Sequence, residues 1–205
     1  MVSVEGVCFV GKNQVGDYKW MIDQDTYEDA LFVIHDNVLE TILSDEAGGG
    51  TAQLRPYARF ADEPRAVQIV TGWSVRCGGF HELDSKEESV IRVFFEYIRL
   101  YLKKHPEIKR LIFSCSTSDN DKIGQGVFKM ADDVVSHISE ELLSLQTSIE
   151  PRYATDFEDL DDDFDYFEIY AKYKDKEAEC SSLKMRLRNE KKRRFENGFD
   201  DSDAA

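Results

Sequence analysis

Apolar residues along this chain fall into two patterns: short strand-length runs and stripes with a helical period. The runs are 4–10 (Val-Glu-Gly-Val-Cys-Phe-Val), 30–35 (Ala-Leu-Phe-Val-Ile-His), 66–70 and 110–115. Each is the length of a strand, and 30–35 has no polar alternation, as expected where both faces of a strand are covered. The stripes are Val38, Leu39, Ile42 and Leu43; then Val90, Ile91, Phe94, Tyr97, Ile98, Tyr101 and Leu102; and finally Val127, Met130, Val134, Val135, Ile138, Leu142 and Leu145. All three keep the 3.6-residue period of an amphipathic helix. Asn37-x-x-Glu40 and Ser85-x-x-Glu88 have the form of capping boxes, and Pro106 lies beyond the second stripe. The triple glycine Gly48-Gly49-Gly50 is expected to stop the first helix. Residues 11–17 read as a turn, and 18–29 give no clear element. Strands alternating with helices predict an α/β fold: a single three-layer domain with a mostly parallel, mixed sheet over residues 1–150.

Three corners rich in glycine and hydroxyls, at 48–51, 71–79 and 114–126, each come shortly after a predicted strand. In such sheets ligands bind beyond the carboxyl ends of the strands, so the corners are expected to meet on one rim. Glycine is costly to order; three in a row belong where the backbone needs positive φ or where something approaches bare amides. Exposed amides with Arg55 close by suit an anion, most often a phosphate. The candidate ligand contacts are therefore Gly48, Gly49, Gly50, Thr51, Arg55, Thr71, Gly72, Gly78, Gly79, Phe80, Ser114, Ser116, Thr117, Gly124, Gln125, Gly126 and Phe128. The competing reading of each corner is an ordinary surface turn.

Charge narrows the partners. The net charge is −15 over 205 residues, which repels a nucleic-acid backbone and makes nucleic acid an unfavourable partner. Cys8, Cys77, Cys115 and Cys180 are scattered, and no two cysteines or histidines have ligand spacing, so neither a metal nor a cofactor is expected. The first residues show no charged-then-apolar signal pattern, so no leader is expected, and no apolar run reaches the length of a membrane span. It reads as soluble and intracellular, with cytoplasm the expected location and Lys191-Lys192-Arg193-Arg194 the one hint of a nuclear address. Composition changes after Pro151. Residues 151–205 become acidic with interleaved aromatics, then charged and helix-prone. This tail is either a solvating segment or an arm that docks on a protein partner.

The motifs of common chemistries are missing: G-x-S-x-G, G-x-G-x-x-G and G-x-x-x-x-G-K-[ST] do not occur. What remains is a cleft of amides and hydroxyls with Asp36, Asn37 and Arg55. Val33-Ile34-His35-Asp36-Asn37, the Gly48-Gly49-Gly50 loop, and Ser114 leading to Gly124-Gln125-Gly126-Val127-Phe128 together resemble the macro domains that bind ADP-ribose. The resemblance spans about residues 30–145, with His35-Asp36-Asn37 standing where the family has Asn-Ala-Ala-Asn. It implies that Asn37 lies near the distal ribose and positions a water, with Asp36 as its catalytic neighbour. It also implies that the glycine loop lies against ribose and diphosphate, and that Phe128 lies beside the ribose. The function it implies is binding, and hydrolysis, of ADP-ribose or a related phosphorylated nucleoside derivative. The alternative is a non-catalytic interaction module that uses the acidic-aromatic tail.

Overall fold

The computed structural model describes residues 2–44, 46–58, 61, 63–125 and 128–152. The expectations for Gly126, for Val127 and for the tail beyond Arg152, with its basic run 191–194 and Cys180, lie outside the described residues.

The chain forms an α/β fold around a sheet dominated by parallel pairs. The strands are β1 (Ser3–Val7), β2 (Ala30–Asp36), β3 (Ala66–Val70) and β4 (Arg110–Ser116), in the order β1-β4-β2-β3. A fifth strand, β5 (Asp119–Ile123), runs back antiparallel to β4. The helices are α1 (Tyr18–Met21), α2 (Val38–Leu43), α3 (Ser85–Lys104) and α4 (Asp132–Ser144), with 3-10 turns at Asp25–Tyr27 and Gly50–Tyr57.

Side chains alternate across a strand, and β2 shows why its run is apolar throughout. Leu31 and Val33 face a core built with Val67, Ile69, Leu111, Phe113 and the inner faces of α3 and α4. Ala30, Phe32 and Ile34 face a second core with Ile112, α1, Leu54 and Ala58. Among the described residues no helix is long and apolar enough to cross a membrane.

Several boundaries differ from expectation. β1 ends at Val7; Phe9 and Val10, read as its last residues, are exposed. α2 ends at Leu43, where Ser44 turns extended, so the helix stops before the triple glycine rather than at it. The N-cap of α3 is Asp84, whose Oδ1 accepts from Lys86 N and Glu87 N, one residue ahead of the expected Ser85. α4 starts at Asp132, because residues 128–131 are held against the 71–80 corner: Ala131 N donates to Phe80 O at 2.9 Å.

The end of the described chain is tied down by a buried cation. Arg99, 0% exposed, donates to Ser148 O at 2.7 Å and to Glu141 Oε2 and Ser144 Oγ at 2.9 Å. Its Nε lies 3.4 Å from Glu96 Oε1. Arg152 adds its own contacts to Glu96 and Glu141.

Candidate functional site

The site is built where two neighbouring strands part. β2 and β4 pair from Ala30–Arg110 to Val33–Phe113 and no further, although β2 continues to Asp36 and β4 to Ser116. Beyond that point the His35 amide donates to Thr51 Oγ1 at 2.9 Å instead of to β4. A parting of this kind at the carboxyl end of a parallel sheet is where open α/β folds hold ligands.

The rim around it is continuous. Thr71 N and Oγ1 both donate to Asp36 O, at 2.8 and 3.0 Å. The amides of Val38 and Leu39 donate to Gly72 O and Trp73 O, so the first turn of α2 is capped by the 71–73 corner. Asn37 Oδ1 accepts from Glu40 N at 3.0 Å, which makes Asn37 the N-cap expected of it. On the far side, Gly124 N donates to Ser114 O, and Gln125 Oε1 accepts from Met130 N at 3.2 Å. The 48–55, 71–80 and 114–125 segments are thus joined through Asp36 and through residues 128–131.

The glycines separate into two groups. A Cβ on Gly72, Gly79 or Gly124 would meet a backbone oxygen, of Gly78, Lys129 or Cys115, at 2.1, 2.6 and 2.6 Å. These three let corner backbones touch, which is the turn reading. Gly49 and Gly50 face open space, and Gly50 has φ +59, in the left-handed region. Gly48 packs against Ala52 and the Arg55 guanidinium.

Arg55 itself is engaged. It lies 8% exposed and grips Asp36 in a fork, Nε to Oδ2 at 2.6 Å and Nη2 to Oδ1 at 2.8 Å. Nη1 donates to Glu46 O at 3.1 Å, with Glu40 Oε2 at 3.8 Å. Asp36 Oδ1 also accepts from Asn37 N. The pair therefore stakes the 46–55 loop to the end of β2. Phe80 is buried at 1% exposure, edge-on to Trp73, with its own N–H and C=O spent on Thr71 and Ala131. That burial makes it a core residue of the corner, not a side chain offered to a ligand. Ser116 Oγ hydrogen-bonds Ser118 Oγ, and Thr117 is exposed in the β4–β5 turn.

Apart from Phe128, the exposed apolar residues near the rim were not singled out in the sequence. The large apolar side chains exposed among the described residues, Phe9, Val10, Val15, Val75 and Phe128, all stand on segments that follow β1, β3 and β5. Asp17 is a buried acid beside them, its Oδ2 accepting from Asn13 N at 2.9 Å. The proximity of Cys8 and Cys115, whose sulfurs touch across β1 and β4, is a product of register.

His35 sits at the parting with its Nε2 buried and without a hydrogen-bond partner among the described residues. Burial lowers its pKa from 6.5 to about 4. The folded state therefore needs the neutral ring, while the unfolded chain takes up a proton below 6.5. Stability is full above that pH and falls as pH drops toward 4, by on the order of 3 kcal/mol in total. Urea titrations from pH 7 to pH 4 should show this slope, and His35→Leu should flatten it. An equal slope in both proteins refutes the assignment to His35.

Comparison with known proteins returns no family model, no curated protein and no solved structure that matches the chain.

Proposed function

We propose that the chain binds ADP-ribose or a related phosphorylated nucleoside derivative at the parting of β2 and β4, in the manner of a macro-like domain. The observation that carries the reading is the Gly49–Gly50 turn. A Cβ at either glycine would meet open space, with Gly50 in a left-handed conformation; Thr51 next to them takes the His35 amide at the parting, and the Asp36–Arg55 fork fixes the loop. Amides of such a turn suit the oxygens of a diphosphate. Thr51 and Ser114 line the approach as hydroxyl donors, while the Thr71 hydroxyl is spent on Asp36 O; Phe128, 39% exposed, offers a ring beside a sugar or base. Asp36 acts in this scheme as a positioning residue, since Arg55 and the Asn37 amide occupy its oxygens. Asn37 holds the start of α2 against the same rim. Hydrolysis of an ADP-ribosyl linkage would then rest on preorganised placement of substrate and water.

The test is calorimetry of the full chain with ADP-ribose, NAD and AMP, with Gly49→Val as the variant. Gly49 has φ −85 and room for a side chain, so the variant should fold and lose less than about 1 kcal/mol of stability. Its bulk stands over the amides, and affinity should fall by on the order of 2 kcal/mol. A folded variant that binds as tightly as wild type sinks the cradle.

The exposed Phe9, Val10, Val15, Val75 and Phe128 favour a second reading, in which the rim contacts a protein partner. Failure of every nucleotide to bind at millimolar concentration leaves that reading standing alone.

A further inference from the structure

β1 and β4 pair in parallel with Val7 opposite Ser114. One residue further along that register, Cys8 meets Cys115, and their sulfurs lie 2.7 Å apart as free thiols. Neighbouring strands run ~4.8 Å apart, inside the roughly 4.4–6.8 Å Cα separation that a disulfide spans. A bond between these two positions therefore asks for no rearrangement of the sheet. The sulfurs differ in access. Cys115 is 6% exposed, with Asn120 Oδ1 at 3.5 Å from its Sγ, whereas Cys8 is half-buried at the start of the exposed loop and points its thiol at Ser116 O, 3.2 Å away. Among the described residues the remaining cysteine, Cys77, is occupied elsewhere, accepting from Ser74 Oγ at 3.3 Å.

We propose that Cys8 and Cys115 form a reversible modification site, a thiol pair that a peroxide oxidises to a disulfide joining β1 to β4 beside the rim. The Cys8 thiolate attacks one peroxide oxygen. The O–O bond breaks, one proton is taken up, and a water leaves, giving a sulfenic acid on Cys8. The sulfur of Cys115 then attacks the Cys8 sulfur. The S–S bond forms as the S–O bond breaks, and the departing hydroxide carries off the Cys115 proton as a second water. Two thiols lose two electrons and two hydrogens, and one peroxide becomes two waters. Burial and the hydrogen bond to Cys8 push the Cys115 thiol up to about 12, so it keeps its proton until the hydroxide needs it. Cys8 is the attacking thiol because it is the accessible one. The product ties the root of the 9–17 loop to the root of the β4–β5 hairpin, the two segments that flank one side of the rim.

The experiment uses the full reduced chain with a small excess of hydrogen peroxide, followed by denaturation, alkylation of remaining thiols, and peptide mapping by mass spectrometry. The expected result is an intact mass two hydrogens lighter and one linked peptide pair containing Cys8 and Cys115, with both effects reversed by dithiothreitol. Closing a loop of this length should also raise the unfolding midpoint by roughly 5 °C or more. Cys8→Ser should leave Cys115 fully alkylatable at the same peroxide dose; the mapping of wild type does not depend on that variant folding. The proposal is overturned if both thiols remain alkylatable after treatment. It is equally overturned if Cys8 accumulates as sulfinic acid beside a reduced Cys115, or if the linked partner is Cys77 or Cys180.

Discussion

Arg99→Ala is expected to cost about 3–5 kcal/mol, because truncating the fully buried member of an ionic cluster removes most of the compensation of the others. Arg99 is 0% exposed and holds four groups at once: Glu96, Glu141, Ser144 and the Ser148 carbonyl. Removing it takes from Glu96 and Glu141 the buried cation between α3 and α4, leaving them their contacts with Arg152, and frees the Ser148 carbonyl that anchors the 148–152 segment. Against a typical total of roughly 5–15 kcal/mol, that loss lowers the thermal midpoint by many degrees. The contrast that tests the mechanism is Arg99→Met combined with Glu96→Leu and Glu141→Leu. An apolar set of similar volume should recover most of the stability. Urea denaturation of the two proteins measures the difference. A single Arg99→Ala within about 1 kcal/mol of wild type shows that the cluster is not the tie between the helices.

Asp36→Ala should damage both stability and binding. It removes the carboxylate that takes two hydrogen bonds from Arg55 and one from the Asn37 amide. The guanidinium stays 8% exposed, with Glu46 O and the more distant Glu40 as remaining partners. Leaving a buried charge so exposed to loss costs about 3–5 kcal/mol. The second effect is geometric. Gly48 rests against Arg55, so an unfixed guanidinium frees the turn whose amides are offered to a diphosphate. Nucleotide affinity should therefore fall at temperatures where the variant remains folded, by at least tenfold. Asp36→Ala with Arg55→Leu should regain stability but not affinity, which separates the staking role from a packing role. Regained affinity in the double variant counts against the fork as the support of the loop.

What could be read from the residues alone depended on how locally each element is determined. Residues 30–35 declare themselves as a strand because apolar cover on both faces leaves no polar position. Asn37 declares itself because its cap bond spans three residues. β5 does not: Asp-Asn-Asp-Lys-Ile has no strand composition. It is held by pairing with Cys115 and Ser116 and by Ser139 Oγ, which accepts from Ile123 N. The Gly50–Tyr57 3-10 turn was hidden for a similar reason, since Leu54 and Ala58 gain their burial from β2 and α1. Asp84 and Ser85 are both good caps, and the sequence pattern cannot choose between adjacent ones. At the site, the corners were legible as glycine and hydroxyl clusters. Their sorting was not. Whether a glycine faces open space, as Gly49 does, or a carbonyl, as Gly72 does, is decided by a distant segment. The Asp36–Arg55 fork joins residues 19 apart in sequence, across a turn whose path no local rule supplies.

The pairing of β1 with β4 carries a consequence for the order of assembly. Ser3 lies opposite Arg110 and Val7 opposite Ser114, whereas β2 and β3 meet across Phe32–Ala66 to Asp36–Val70. On a ribosome the first strand emerges with no partner and waits until more than half of the chain has followed it. β2 and β3 can pair much earlier, since both are complete by Val70. Non-local closure of this kind is slow, since the entropy of the intervening loop is lost before the contact returns anything. The amino-terminal strand can thus join the sheet only once β4 is present, and until it does β4 presents an open edge to any other strand nearby.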